Sequence, residues 1–117
     1  MDALREAIRA IPDFPRPGIV FRDLLPLLAD ARLAERVIDE LTEFGAALRP
    51  DVVVGAEARG FLFGPALALR LGVGFVPVRK PGKLPGEAIR QEYALEYGTD
   101  ALEIHAEALR PGMRVLL

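Results

Sequence analysis

Two rhythms of apolar and polar positions organise the centre of this chain. Val52, Val53 and Val54 form an uninterrupted β-branched run, which suits a strand covered on both faces, as in a parallel sheet, and Gly55 is expected to end it. After the short charged loop that follows, Phe61, Pro65 and Leu69, with Leu62 and Ala66, fall at helical spacing. Gly72 stops that helix with Arg70 in its last turn. Residues 51–71 therefore read as strand, loop, helix, and the next apolar run, residues 73–78, as a further strand. In open α/β sheets ligands bind at the loops that leave the carboxyl ends of strands, which puts Glu57, Arg59 and Gly60 where chemistry is expected. The helix start adds amide donors and a positive dipole end beside Arg59, so an anion, and phosphate above all, is the natural guest. A lone Arg in such a loop is as readily a solvated side chain. The stretch VRKPGKLPG weighs against that, because Arg79, Lys80 and Lys83 follow the second strand as Arg59 follows the first. Pro81, Gly82, Pro85 and Gly86 keep the backbone irregular there and present the charges from a loop.

The flanking segments are less regular. Asp2 can cap a first helix running to about Ile11, with Leu4, Ala7, Ile8 and Ile11 on one face, before Pro12, Pro15 and Pro17. The following residues, DFPRPGIVFRDLLPLL, read as extended and turning. A second helix is predicted from near Asp30 to about Leu48, with Leu33, Val37, Leu41, Phe44 and Leu48 on one stripe and charged residues on the solvated side. QEYALEYGTDALEIHAEAL alternates weakly around Gly98, which suggests a long hairpin or mobile flap over residues 86–101, although a helical reading stays open. RPGMRVLL reads as a turn and a strand that has just begun. The fold class expected is α/β: a mostly parallel, twisted sheet with helices packed on it, in a single domain over residues 1–117.

Composition narrows the function. A chain of 117 residues can hold a real core, and 51% hydrophobic residues is rich for its size, which suggests surface buried beyond the monomer's own. Fifteen Lys and Arg against 17 Asp and Glu give a formal charge of −2, which argues against a general nucleic-acid binder and for local basic loops that meet a small polyanion. With no Cys and one His, neither a thiolate metal site nor a His cluster can be built. No signal-peptide pattern opens the chain and no apolar run approaches membrane-spanning length, so a soluble, cytoplasmic protein that engages no membrane is expected.

The segments FPRPGIVFRD, ARGFLFGPALA, VPVRKPGKLPG and LEYGTDALEIHAEALRPG resemble adenine phosphoribosyltransferase, in that order and over nearly the whole chain. Four separate matches make the resemblance specific. It implies the type I phosphoribosyltransferase fold, with an N-terminal hood segment and a flexible hairpin flap. It also implies transfer of ribose 5-phosphate from phosphoribosyl pyrophosphate to adenine, giving AMP and pyrophosphate, with Mg²⁺ bound mainly through pyrophosphate and water, in a homodimer. One departure is plain. The family's acidic pair and Gly-rich phosphoribosyl pyrophosphate loop, of the form VDDLLATGGT, would follow Val115, Leu116 and Leu117 and is not among the 117 residues. The expectation is that these residues alone lack the C-terminal part, bind anions weakly and make essentially no AMP. The alternative is a truncated, non-catalytic nucleotide-binding or interaction module, and a weaker one is a transferase for another purine.

By the same resemblance, Phe21 stacks on the adenine ring while backbone groups of Val20 and Arg22 read its edge. Arg59 clamps pyrophosphate, with Glu57 orienting Arg59 or facing Mg²⁺-bound water, and Arg79, Lys80 and Lys83 contact the leaving group. Glu96 and Tyr97 belong to the closing flap, and Glu96 is the candidate for handling the proton at the base. No residue is expected to ligate a metal directly. His105 invites a general-base assignment on residue type, but beside Ile104 on a strand it reads more readily as structural.

Overall fold

A computed structural model describes residues 2–117, Asp2 without its side chain, so the expected Asp2 cap lies outside the described residues. Two compact units are distinguished, one ending at Leu41 and one comprising Thr42–Leu117.

In the first unit a short helix, α1 (Asp2–Ala7), leads into β1 (Arg9–Pro12), which pairs antiparallel with β2 (Val20–Asp23) in a two-stranded sheet. The helix expected to reach Ile11 thus stops at Ala7. Ile8 and Ile11 have helical spacing to Leu4 and Ala7, but residues 9–12 exchange backbone bonds with β2 instead, and Pro12 sits at the end of the ladder where its missing N–H costs least. Asp23 locks this ribbon. Its buried carboxylate takes Arg9 Nε at 3.2 Å and Nη2 at 2.6 Å from the opposite strand, and the Leu25 N–H at 3.0 Å from the next element. The Leu25 amide first and Arg9 second hold the Asp23 carboxyl below its ordinary value. Leu25 opens α2 (Leu25–Ala29), a five-residue helix inside the stretch expected to be extended, with Leu27 buried. Asp30 then caps α3 (Ala31–Leu48), accepting from Arg32 N at 2.9 Å and Leu33 N at 3.3 Å, so the second helix begins where the sequence places it. The helix is turned from its expected stripe. Ile38 and Gly45 are buried, whereas Phe44 is 64% and Leu48 42% exposed.

The second unit is built on a three-stranded parallel sheet in the order β4 (Gly74–Val78), β3 (Val52–Ala56), β7 (Val115–Leu116). Val52, Val53 and Val54 are buried, as a central strand with both faces covered requires. Helix α4 (Gly60–Leu71) links β3 to β4 and ends on Gly72 at φ 72° and ψ 28°, the left-handed conformation in which glycine carries no Cβ penalty. The last turns of α3 close against β7 and α4: a Cβ on Gly45 would meet Leu116 Cδ2 at 2.9 Å and Leu71 Cδ1 at 3.2 Å. Arg114 donates from Nε and Nη2 to the Leu48 carbonyl at that helix's carboxyl end. A separate antiparallel hairpin, β5 (Ala88–Leu95) and β6 (Gly98–His105), turns at Glu96 and Tyr97, which bears out the hairpin reading over the helical one.

Strand β3 and helix α4 meet closely. Gly55, expected to end the strand, lies inside it, and a Cβ there would stand 2.8 Å from the Gly60 carbonyl oxygen. A Cβ on Gly60 would stand 2.9 Å from Gly55 Cα, and one on Gly64 only 2.3 Å from Phe75 Cε1. The buried face of α4 is accordingly Leu67 and Ala68 with the glycines. Leu69, at helical spacing to Phe61 and Pro65, is 81% exposed.

Gly64→Ala is expected to destabilise the protein by about 1–3 kcal/mol, since the Phe75 ring must move from its packed position. Gly74→Ala, where a Cβ meets nothing within 4 Å, should leave stability unchanged or slightly raised. Urea unfolding midpoints of the two variants check the contrast.

Candidate functional site

The register of the parallel pair decides what meets at its carboxyl end. Ala56 lies opposite Val78, so the residues that follow, Glu57 and Arg79, leave the sheet side by side. The Glu57 N–H continues the pairing to the Val78 carbonyl at 3.0 Å. The Glu57 carboxylate then accepts from Arg79 Nε at 3.1 Å and from the Lys80 backbone N–H at 2.8 Å. The Lys80 amide first, and the Arg79 guanidinium after it, hold the Glu57 carboxyl below its ordinary value of 4.5, with partial burial acting the other way. Glu57 is therefore the link between the two strand-end loops. Its carboxylate engages the second cationic loop, a contact the sequence did not suggest.

Arg79 has a second fixed contact. Its guanidinium carbon lies 5.9 Å from the centroid of the Phe61 ring, within cation–π range, and Phe61 packs edge-on against Phe75 at 6.0 Å between centroids. The first turn of α4 and the end of β4 thus share one guanidinium. Arg59 stands at the amino end of α4, exposed, with Gly60 and Phe61 beginning the helix behind it. Helix amide donors, Arg59 and the Arg79 loop converge on the ends of β3 and β4, where a polyanion would find both a dipole end and fixed cations.

Lys80 is held from the hairpin. Its ammonium pairs with the Asp100 carboxylate of β6, which stands opposite Tyr93 in the register. The Asp100 contact raises the Lys80 pKa, and the Lys80 contact, with the Ala101 N–H at 2.8 Å, lowers that of Asp100. Residues 80–83 form a turn closed from Lys83 N to Lys80 O at 3.3 Å, with Pro81 and a positive-φ Gly82 at its centre, the chemistry of a type II turn. Lys83 is exposed at its end.

The other expected site residues lie on further elements. Glu96 and Tyr97 lie at the hairpin tip, Tyr97 being 89% exposed. Val20, Phe21 and Arg22 lie on β2 in the first unit, opposite Pro12, Ile11 and Ala10. The Phe21 ring is fixed edge-on by Phe14, with centroids 5.2 Å apart. His105 hydrogen-bonds through Nε2 to the Pro85 carbonyl at 2.9 Å, a structural contact of the kind its strand position suggested. Sequence reasoning missed Asp100, Tyr93, Glu103 and the Phe61 ring. Only the pairing of Tyr93 with Asp100 across a hairpin centred near Gly98 was open to inference.

Because the carboxyl of Glu57 titrates below 4.5 in the folded protein, its contribution to stability is complete above 4.5 and is lost as pH falls through the lower folded-state value. The stability difference between the wild type and Glu57→Gln should be constant at neutral pH and narrow in acid, as read from urea unfolding across a pH series.

No family model matches the chain. It is 56% identical over 115 residues to an adenine phosphoribosyltransferase of Clostridium perfringens, covering 98% of this chain and 67% of that protein. Among solved structures, the adenine phosphoribosyltransferase of Thermoanaerobacter pseudethanolicus superposes with a TM-score of 0.93 at 54% identity, over 97% of this chain and 66% of that one. The Saccharomyces cerevisiae enzyme, solved with an imino-altritol bisphosphate and adenine, superposes with a TM-score of 0.89 at 47% identity, over 97% of this chain and 67% of its own. The chain thus spans about two thirds of the length of these relatives, and on this similarity it belongs to the adenine phosphoribosyltransferase family.

Proposed function

We propose that this chain serves purine salvage by transferring ribose 5-phosphate from phosphoribosyl pyrophosphate to adenine, giving AMP and pyrophosphate. The observation that carries the reading is the pair of cationic loops joined through Glu57 at the carboxyl ends of β3 and β4, in a chain whose relatives are adenine phosphoribosyltransferases.

The chemistry asked of the site follows from the bond broken. As pyrophosphate departs from the ribose, positive character grows on the sugar and negative charge on the leaving group, so fixed cations lower the barrier most where they need not reorganise. Arg79 meets that demand, held at Nε by Glu57 and over the Phe61 ring. Lys80, Lys83, Arg59 and the first amides of α4 complete the anion-facing set. Mg²⁺ would enter with the substrate, bound by phosphate oxygens and water, a mode that asks for no protein cage. Among the described residues no group of three His, Asp or Glu side chains is placed to hold an ion.

On the base side, Phe21 stacks on adenine. Strand β2 belongs to a two-stranded sheet, so half of its backbone groups point away from β1 and can read the edge of a flat heterocycle. Glu96 handles the base proton and Tyr97 covers the site as the hairpin tip closes, excluding water. A homodimer belongs to the same reading, supported by exposed apolar side chains such as Phe44 at 64% and Leu69 at 81%. So does a cytoplasmic location. No helix among the described residues is long and apolar enough to cross a membrane.

Calorimetry with adenine and with inorganic pyrophosphate tests the division of labour. Phe21→Ala should weaken adenine binding by the roughly 1–3 kcal/mol of one stacked base and leave pyrophosphate binding nearly intact. Arg59→Ala should do the reverse. Equal losses for both ligands in both variants would overturn the assignment. Adenine-dependent release of pyrophosphate from phosphoribosyl pyrophosphate is the signature of transfer, and binding of both ligands without release would assign the chain a binding role alone.

A further inference from the structure

One face of β6 carries a pattern that the transfer reaction leaves unexplained. Ala101, Glu103 and His105 alternate onto the same side of the strand, with Ala101 buried. Beyond it, Glu103 accepts the Gly82 N–H at 2.9 Å and His105 meets the Pro85 carbonyl at 2.9 Å through Nε2. A carbonyl can only accept, so Nε2 carries the proton in that contact. The Glu103 backbone is also bonded both ways to Arg79, Arg79 N to Glu103 O at 2.9 Å and Glu103 N to Arg79 O at 2.7 Å. An acceptor and a donor two residues apart on the strand therefore match a donor and an acceptor three residues apart on the loop.

We propose that Glu103 and His105 are positioning residues, which clip the cationic loop of residues 79–86 onto β6 and so hold Arg79, Lys80 and Lys83 in the arrangement that receives a diphosphate. The proposal rests on the functional reading above and adds to it the device that shapes the anion site. Residues 80–86 contain two prolines, two lysines and two glycines, and both glycines, Gly82 and Gly86, take positive φ. Such a loop has many alternative conformations to lose. The turn bond from Lys83 to Lys80 closes only its first part, and Glu103 and His105 fix the turn's centre and the stretch beyond it.

Electrostatics makes the claim testable by sign. A carboxylate beside three cations repels an incoming anion, so if Glu103 acted only through its charge, removing it would tighten pyrophosphate binding. As a positioning residue it does the opposite. Glu103→Ala is expected to weaken inorganic pyrophosphate binding about fivefold, the effect of one lost fixing hydrogen bond. Glu103→Gln keeps an acceptor for Gly82 and removes the charge, and should bind pyrophosphate as well as the wild type or better. His105→Ala should weaken it similarly, with rescue by His105→Asn, whose amide can still donate to Pro85. Adenine binding should be unchanged in all four. Amide hydrogen exchange at Gly82 should accelerate in Glu103→Ala and stay slow in Glu103→Gln, a readout independent of any ligand.

Tighter or unchanged pyrophosphate binding by Glu103→Ala, or Gly82 exchange insensitive to that change, would overturn the proposal. Lys80→Ala and Arg79→Ala are measured alongside. If these too leave pyrophosphate binding intact, the cationic loop is not the anion site and the functional reading fails instead.

Discussion

The close approach of strand β3 to helix α4 is the constraint on which the second unit depends. Backbone meets backbone at Gly55 and Gly60, and the Phe75 ring fills the space that a side chain at Gly64 would need. That ring supports Phe61, and Phe61 in turn lies under the Arg79 guanidinium. A packing contact in the core is thus connected through two aromatic rings to a cation at the sheet edge. A bulkier residue at Gly64 would shift more than the core, because displaced aromatic rings carry the platform on which the guanidinium rests.

The site's electrostatics are unusual in that two of its cations, Arg79 and Lys80, are already partnered. Glu57 holds Arg79, Asp100 holds Lys80, and Glu103 holds the intervening turn. Bare cations gathered on one loop would repel each other and spread. Carboxylates placed on neighbouring elements relieve that repulsion while fixing geometry, at the cost of part of the positive potential. Exposure resolves the balance: the ion pairs are partly solvated, so each cation keeps donors that face water and can exchange it for phosphate oxygens.

Much of this architecture is legible in the sequence, and the misreadings share a cause. The Val52–Val54 run, the Gly72 stop and the hairpin around Gly98 follow from local chemistry, and each is found. Helix faces are different. Periodicity registers apolar residues at helical spacing and is blind to glycine, whereas α4 packs closely at Gly64, where a Cβ would stand 2.3 Å from Phe75 Cε1. The end of the first helix failed because a segment as short as Arg9–Pro12 suits a helix or a strand equally, and the pairing of β1 with β2 is a nonlocal fact. Glu57 was expected to orient Arg59 or to face Mg²⁺-bound water, and its contacts with Arg79 and the Lys80 amide were not foreseen. Only the strand register, which sets Ala56 against Val78, reveals that Arg79 is its neighbour.

The hairpin combines two demands that conflict in a simple lid. A loop that binds a leaving group should be rigid, and a cover that admits substrate should move. Along β6 these demands fall on different residues. From Asp100 to His105 the strand is tied to the cationic loop by Asp100, by the Glu103 backbone and carboxylate, and by His105, with Ala101 buried beside them. Residues 91–99 are exposed throughout and carry Glu96 and Tyr97 at the turn. Asp100 marks the boundary, since it pairs with Tyr93 across the hairpin and with Lys80 below it. A charge arriving at Lys80 would therefore be felt first at Asp100.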